Sequence, residues 1–124
     1  MHAPSVAAIG LAGLLAGAGM THFAVPGVYD AMIPEPLPGS PRVWTIGTGI
    51  TELVVATAVL TPSTRRHGAL AAAGLFAGVL PANVKVALDA RNSDSGAYRM
   101  GTVLRLPAQL PLIAWALWVR RTCR

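Results

Sequence analysis

Glu52 stands in the middle of an apolar stretch, residues 44–60, and three similar stretches carry polar groups of their own. These are His22 in the first, Asn83 and Lys85 in the third, and Arg105 and Gln109 in the fourth. Ionisable side chains inside a membrane span are costly, so they face a bundle interior or a watery cavity and mark function. Three chemistries fit these types. As a general acid or base, the candidate catalytic residue Glu52 would move a proton on a lipophilic substrate while Arg105 steadies developing negative charge. As a binding set, Arg105, Gln109 or His22 would donate hydrogen bonds to a small amphipathic molecule held between apolar walls. As a buried ion pair, Glu52 and Arg105 would fix helix register and leave partner proteins to dock on the outside.

The stretches that must position these groups are four, at residues 6–25, 43–60, 68–88 and 102–119. Each is long enough to cross a bilayer core as a helix and too continuous for an alternating barrel strand. The expected fold is therefore all-α, a single domain over residues 1–124 built as a four-transmembrane-helix bundle. Gly13 and Gly17, and again Gly74 and Gly78, place small residues on one face, the spacing that lets helix backbones approach or copies of a chain associate. Pro107 and Pro111 lie inside the fourth stretch, where neighbouring helices or water must satisfy the freed carbonyls. Arg65, Arg66, Arg120, Arg121 and Arg124 gather at one side, against Arg42, Arg91 and Arg99 diluted by Asp30, Glu35 and Asp94 at the other. That bias puts both termini in the cytoplasm. The link over residues 25–42 holds five prolines, with Pro26 placed to start a short interfacial helix over residues 27–32. Tyr29, Met32, Ile33 and Leu37 in this link make either the apolar underside of a surface loop or a lid.

Depth tests whether the polar groups form one site. Measured from the outer ends, His22 and Arg105 lie roughly 5 Å deep, Asn83 and Lys85 about 5–8 Å, Gln109 about 10 Å and Glu52 about 13 Å. All fall in the outer half, and the inner halves are almost wholly Ala, Leu, Val, Ile and Gly. Arg105 and Gln109, four apart, share a face, and Thr45, Thr48 and Glu52 form a polar stripe on the second helix. The expected pocket is His22, Trp44, Thr48, Glu52, Asn83, Arg105 and Gln109, with Arg105 and Gln109 nearest Glu52. Lys85 and Asp89 read most simply as a snorkelling interfacial pair at the rim. Asn83, two residues after Pro81, either satisfies carbonyls freed by that proline or faces the pocket. Trp44, Trp115 and Trp118 read as interfacial anchors or bundle packing.

Composition narrows the classes. Of 124 residues, 53% are hydrophobic and 12% charged, with mean hydropathy +0.54. Soluble domains carry about twice that share of charge. The net charge of +5 sits at the edges of apolar runs, with no basic run interleaved with aromatics, so no nucleic acid is expected. Cys123 stands alone, which excludes an internal disulfide, a CxxC pair and a cysteine-rich metal site. Haem is not expected, because only His22 lies in a span while His2 and His67 lie in end segments. Zinc would need more ligands than His22 and Glu52 supply. The start of the chain lacks a basic n-region, so the first stretch reads as a retained span.

The chain resembles the DoxX-like family of small four-helix membrane proteins over almost its whole length. The matching elements are His22-Phe23 with Pro26, Met32-Ile33-Pro34, Leu37-Pro38, Trp44, and Gly49 with Glu52. They continue through Thr61-Pro62 with Arg65-Arg66, Pro81-Ala82-Asn83, and Arg105-Leu106-Pro107 with Gln109. The resemblance implies a multi-pass protein of the bacterial inner membrane. It also implies association with redox systems, since relatives include a membrane subunit of thiosulfate:quinone oxidoreductase. The expectation is a non-catalytic redox-associated subunit or binder for a quinone-like or lipid-like molecule, in contact with membrane lipids, a membrane redox enzyme, or further copies of itself through the small-residue faces. A small enzyme built on Glu52 and a partner-docking structural subunit are the alternatives.

Overall fold

The computed structural model describes residues 3–34 and 36–122; the expectations placed on Met1, His2, Glu35, Cys123 and Arg124 lie outside the described residues. The chain is all-helical, with no strand among the described residues. Helix α1 spans Ala3–Ala24, α2 Pro26–Asp30, α3 Pro41–Leu60, α4 Arg65–Gly78, α5 Leu80–Ala90 and α6 Gly96–Thr122. Four segments are long and apolar enough to cross a membrane, namely Val6–Ala24, Pro41–Leu60, Arg65–Ala90 and Gly96–Thr122.

Prolines set most of the boundaries. Pro26 and Pro41 occupy the first turns of α2 and α3, where their missing N–H costs nothing. Helix α3 stops just before Pro62, and Arg65 caps its end by donating to the Val59 carbonyl at 2.7 Å and the Leu60 carbonyl at 2.9 Å. The Ser95 hydroxyl accepts the Tyr98 N–H at 3.1 Å and so caps the start of α6.

The third expected span differs from one continuous helix. Pro81 cannot donate to the Ala77 carbonyl, and helical assignment lapses at Val79 between α4 and α5 before the Asn83 N–H resumes the ladder on the Val79 carbonyl at 3.1 Å. The last helix starts at Gly96 rather than near residue 102 and carries Pro107 and Pro111 inside it. At about 1.5 Å per residue it is longer than a bilayer core of about 30 Å.

The helices form a ring: α1 packs on α3, α3 on α4, α4 and α5 on α6, and α6 closes back on α1, so α3 and α6 stand at opposite corners. The filled core lies at the end away from α2. There Leu11, Leu15, Val55, Val59, Phe76 and Val119 interlock with alanines of every long helix. Three close approaches fix the ring. A Cβ on Gly19 would lie 3.0 Å from the Gly49 carbonyl oxygen, one on Gly68 would lie 2.8 Å from Val59 N, and one on Gly10 would lie 3.0 Å from the Trp115 ring. Trp115 also donates to the Ala7 carbonyl at 3.1 Å, so it packs α6 against α1.

The small-residue faces read from the sequence are not the ones the helices use. A Cβ at Gly13, Gly17, Gly74 or Gly78 would meet nothing within 4 Å. Gly74 and Gly78 border a cavity instead. The spacing is the same, but the helix faces that turn inward are set by the neighbours on the ring.

Candidate functional site

Above the packed end, the ring encloses a cavity of about 1030 Å³ reached by side chains of every helix. All seven residues expected to line a pocket line it: His22 from α1, Trp44, Thr48 and Glu52 from α3, Asn83 from α5, and Arg105 and Gln109 from α6. Tyr29, Met32, Ile33 and Leu37 from the segment after α1 cover it. The remaining wall is mostly Leu, Val and Ala with glycine.

Glu52 is placed by the crossing of α1 and α3 at Gly19 and Gly49. Three residues beyond each glycine stand His22 and Glu52, both buried, with Nδ1 and Oε2 3.8 Å apart. His22 Nδ1 lies 2.7 Å from the Ala18 carbonyl oxygen, which can only accept, so this nitrogen carries the hydrogen and spends it there. Glu52 Oε2 is left without a hydrogen-bond partner, and so is Gln109 Oε1 across the ring. Both residues are buried, Glu52 with 7% and Gln109 with 9% of its surface exposed. Buried polar atoms are nearly always paired with protein or water, so these two take their partners from water or from a bound molecule.

One expectation is corrected. The sequence places Arg105 nearest Glu52, and one of its three readings pairs the two as ions. Among the described ion pairs Arg105 has none, and its side chain is exposed. The reason is the ring: α3 and α6 are diagonal, and the cavity lies between them. His22, from the adjacent helix, takes the place beside Glu52. The rim pair of Lys85 with Asp89 is present at 3.6 Å, and Lys85 Nζ in addition donates to the Ala31 carbonyl at 2.7 Å and so ties α5 to the segment over the cavity. Asn83 is buried on the cavity wall, and its side chain makes none of the described hydrogen bonds, so it does not serve the carbonyl freed by Pro81.

That covering segment is held at several further points that the sequence reading missed. The Tyr29 ring stacks on His22 at 3.7 Å between centroids, and its hydroxyl is 2.6 Å from Thr21 Oγ1. Asp30 accepts from Thr45 Oγ1 at 2.6 Å and from Arg42 Nε at 2.9 Å. The Thr45 hydrogen bond, aided by the Arg42 hydrogen bond and charge and opposed by desolvation, holds the Asp30 carboxyl below its ordinary value of 3.8. Trp44 Nε1 donates to the Pro38 carbonyl at 2.7 Å. One signal was available: Thr45 heads the stripe that continues through Thr48 to Glu52, so its hydroxyl had to find a partner just above the membrane stretch.

No curated protein and no solved structure matches the chain. A family model matches residues 11–120, which takes in most or all of each long segment and every cavity residue named above. The chain thus belongs to the family described as "Domain of unknown function (DUF8561)".

Proposed function

We propose that this is a non-catalytic multi-pass protein of the bacterial inner membrane that holds a quinone-like or lipid-like molecule in its cavity, as a redox-associated subunit or binder. The carrying observation is the pair of unpartnered buried oxygens, Glu52 Oε2 and Gln109 Oε1, on a single large and mainly apolar cavity. Ligand sites have this make-up, a few polar groups within apolar walls. The resemblance to DoxX-like proteins supports the redox association. Arg65, Arg66, Arg120 and Arg121 at the packed end support a cytoplasmic position for that end and for both termini. A redox partner or second copy would meet the chain along the uncovered Gly13 and Gly17 face. The test is binding of a labelled quinone and a labelled lipid to the purified protein. Glu52→Leu and Gln109→Leu should each abolish binding of one of them while the bundle stays folded; unchanged binding in both variants removes the reading.

A second reading, a small enzyme with Glu52 as general acid or base, is favoured by one observation. His22, a second acid–base group, stands beside Glu52 at 3.8 Å. Turnover of a lipophilic substrate whose pH–rate profile shifts with Glu52→Gln would select it; a profile indifferent to that change rejects it.

A further inference from the structure

Packing closes both ends of the cavity. At one end lies the interlocked core of Leu11, Leu15, Val59 and Val119. At the other lies the covering segment, fastened to α1 by Tyr29, to α3 by Asp30 and Pro38, and to α5 by Ala31. The side between α3 and α4 is different. These helices meet tightly near the turn that joins them, where a Cβ on Gly68 would strike the α3 backbone. Further along α4, Gly74 and Gly78 border the cavity, are exposed, and have open space where a Cβ would stand.

A second hollow, of about 370 Å³, lies outside this gap, and it shares Trp44, Thr48, Thr51 and Leu75 with the main cavity. The four shared side chains stand between the two, so the hollow adjoins the cavity at the α3–α4 face. Apart from Thr48, Thr51 and the Trp44 N–H already spent on the Pro38 carbonyl, the lining of this hollow offers no polar side-chain group. Hydrocarbon can occupy it without losing hydrogen bonds, whereas a hydrated solute would have to shed its water.

We infer that the cavity opens sideways into the bilayer between α3 and α4, and that its ligand is a tailed lipophile that enters head first and leaves its hydrocarbon chain in this window. The identity of the head group rests on the function proposed above, but the position of the opening does not. A water-borne ligand would have to part the fastenings of the covering segment; a bilayer-borne one parts nothing.

The experiment places a thiol inside the passage with Thr48→Cys in a Cys123→Ser background, reconstituted in phosphatidylethanolamine/phosphatidylglycerol vesicles. N-dodecylmaleimide and a membrane-impermeant sulfonated maleimide, present on both sides, are compared. The dodecyl reagent, concentrated in the bilayer by its chain, should label at least about tenfold faster. Adding Gly74→Leu and Gly78→Leu, which fill empty space, should slow it by about tenfold or more. Labelling of Leu110→Cys on the lipid face should not change under the same pair, which shows that the variant is folded and reachable. Equal or faster labelling by the sulfonated reagent, no labelling by either, or indifference to the leucine pair overturns the window. Absence of any quinone or lipid binding with the labelling pattern intact would instead remove the proposed function and leave the window standing.

Discussion

His22 and Glu52 face each other across the α1–α3 crossing with Nδ1 and Oε2 3.8 Å apart, yet no hydrogen bond joins them, because the Nδ1 hydrogen goes to the Ala18 carbonyl. The arrangement depends on two glycines. A Cβ on Gly49 would lie 2.8 Å from His22 Cβ and 3.1 Å from the Phe23 ring. Gly49→Ala should therefore force the helices apart and destabilise the protein by about 1–3 kcal/mol. Gly13→Ala, in open space, should be near neutral. Unfolding of both variants in detergent micelles checks this, and equal stability would show that the crossing tolerates a methyl group.

The orphaned oxygens predict a trade between stability and binding. A buried polar atom without a partner costs about 1–3 kcal/mol. Gln109→Leu should raise the thermal stability of the empty protein while binding is lost. Lower stability with the cavity empty would mean that Gln109 already has a partner, such as an ordered water.

Asp30 predicts a response to acid. Its native carboxyl titrates below the ordinary 3.8, so its contribution is fully present above that value and is lost as pH falls through the lower native one. Protonation removes the charge that holds Arg42, and the segment over the cavity loosens. Hydrogen exchange over residues 26–40 should then rise at low pH in the native protein. Asp30→Asn should exchange fast at every pH; a slow, pH-dependent variant would relieve Asp30 of this task.

Lys85 separates two roles that the sequence leaves merged. Its pair with Asp89 is exposed on the acid's side, and such pairs contribute about 0–1 kcal/mol. Its bond to the Ala31 carbonyl crosses from α5 to the covering segment. Lys85→Met should speed exchange over residues 26–38 several-fold, a change of about 1 kcal/mol, and Asp89→Asn should leave it where it was. Equal effects would make the ion pair the fastening.

Read alone, the sequence determined what the solvent decides. Runs of uncharged residues fix four bilayer-length helical segments, and a rise of about 1.5 Å per residue puts His22, Glu52, Asn83, Arg105 and Gln109 in the same half of the membrane. Even the short helix after Pro26 follows from local proline geometry. What the sequence could not determine is which helix stands next to which. Depth is a property of one helix, but neighbourhood is a property of the ring, where α3 and α6 sit diagonally. For that reason Glu52 has His22 beside it and not Arg105, and Gly19 and Gly49 carry the close packing while Gly74 and Gly78 leave a gap. The fastenings of Lys85 and Asp30 belong to the same class. Their partners are a backbone carbonyl 54 positions away and a hydroxyl 15 away, and only the folded ring brings them within 3 Å.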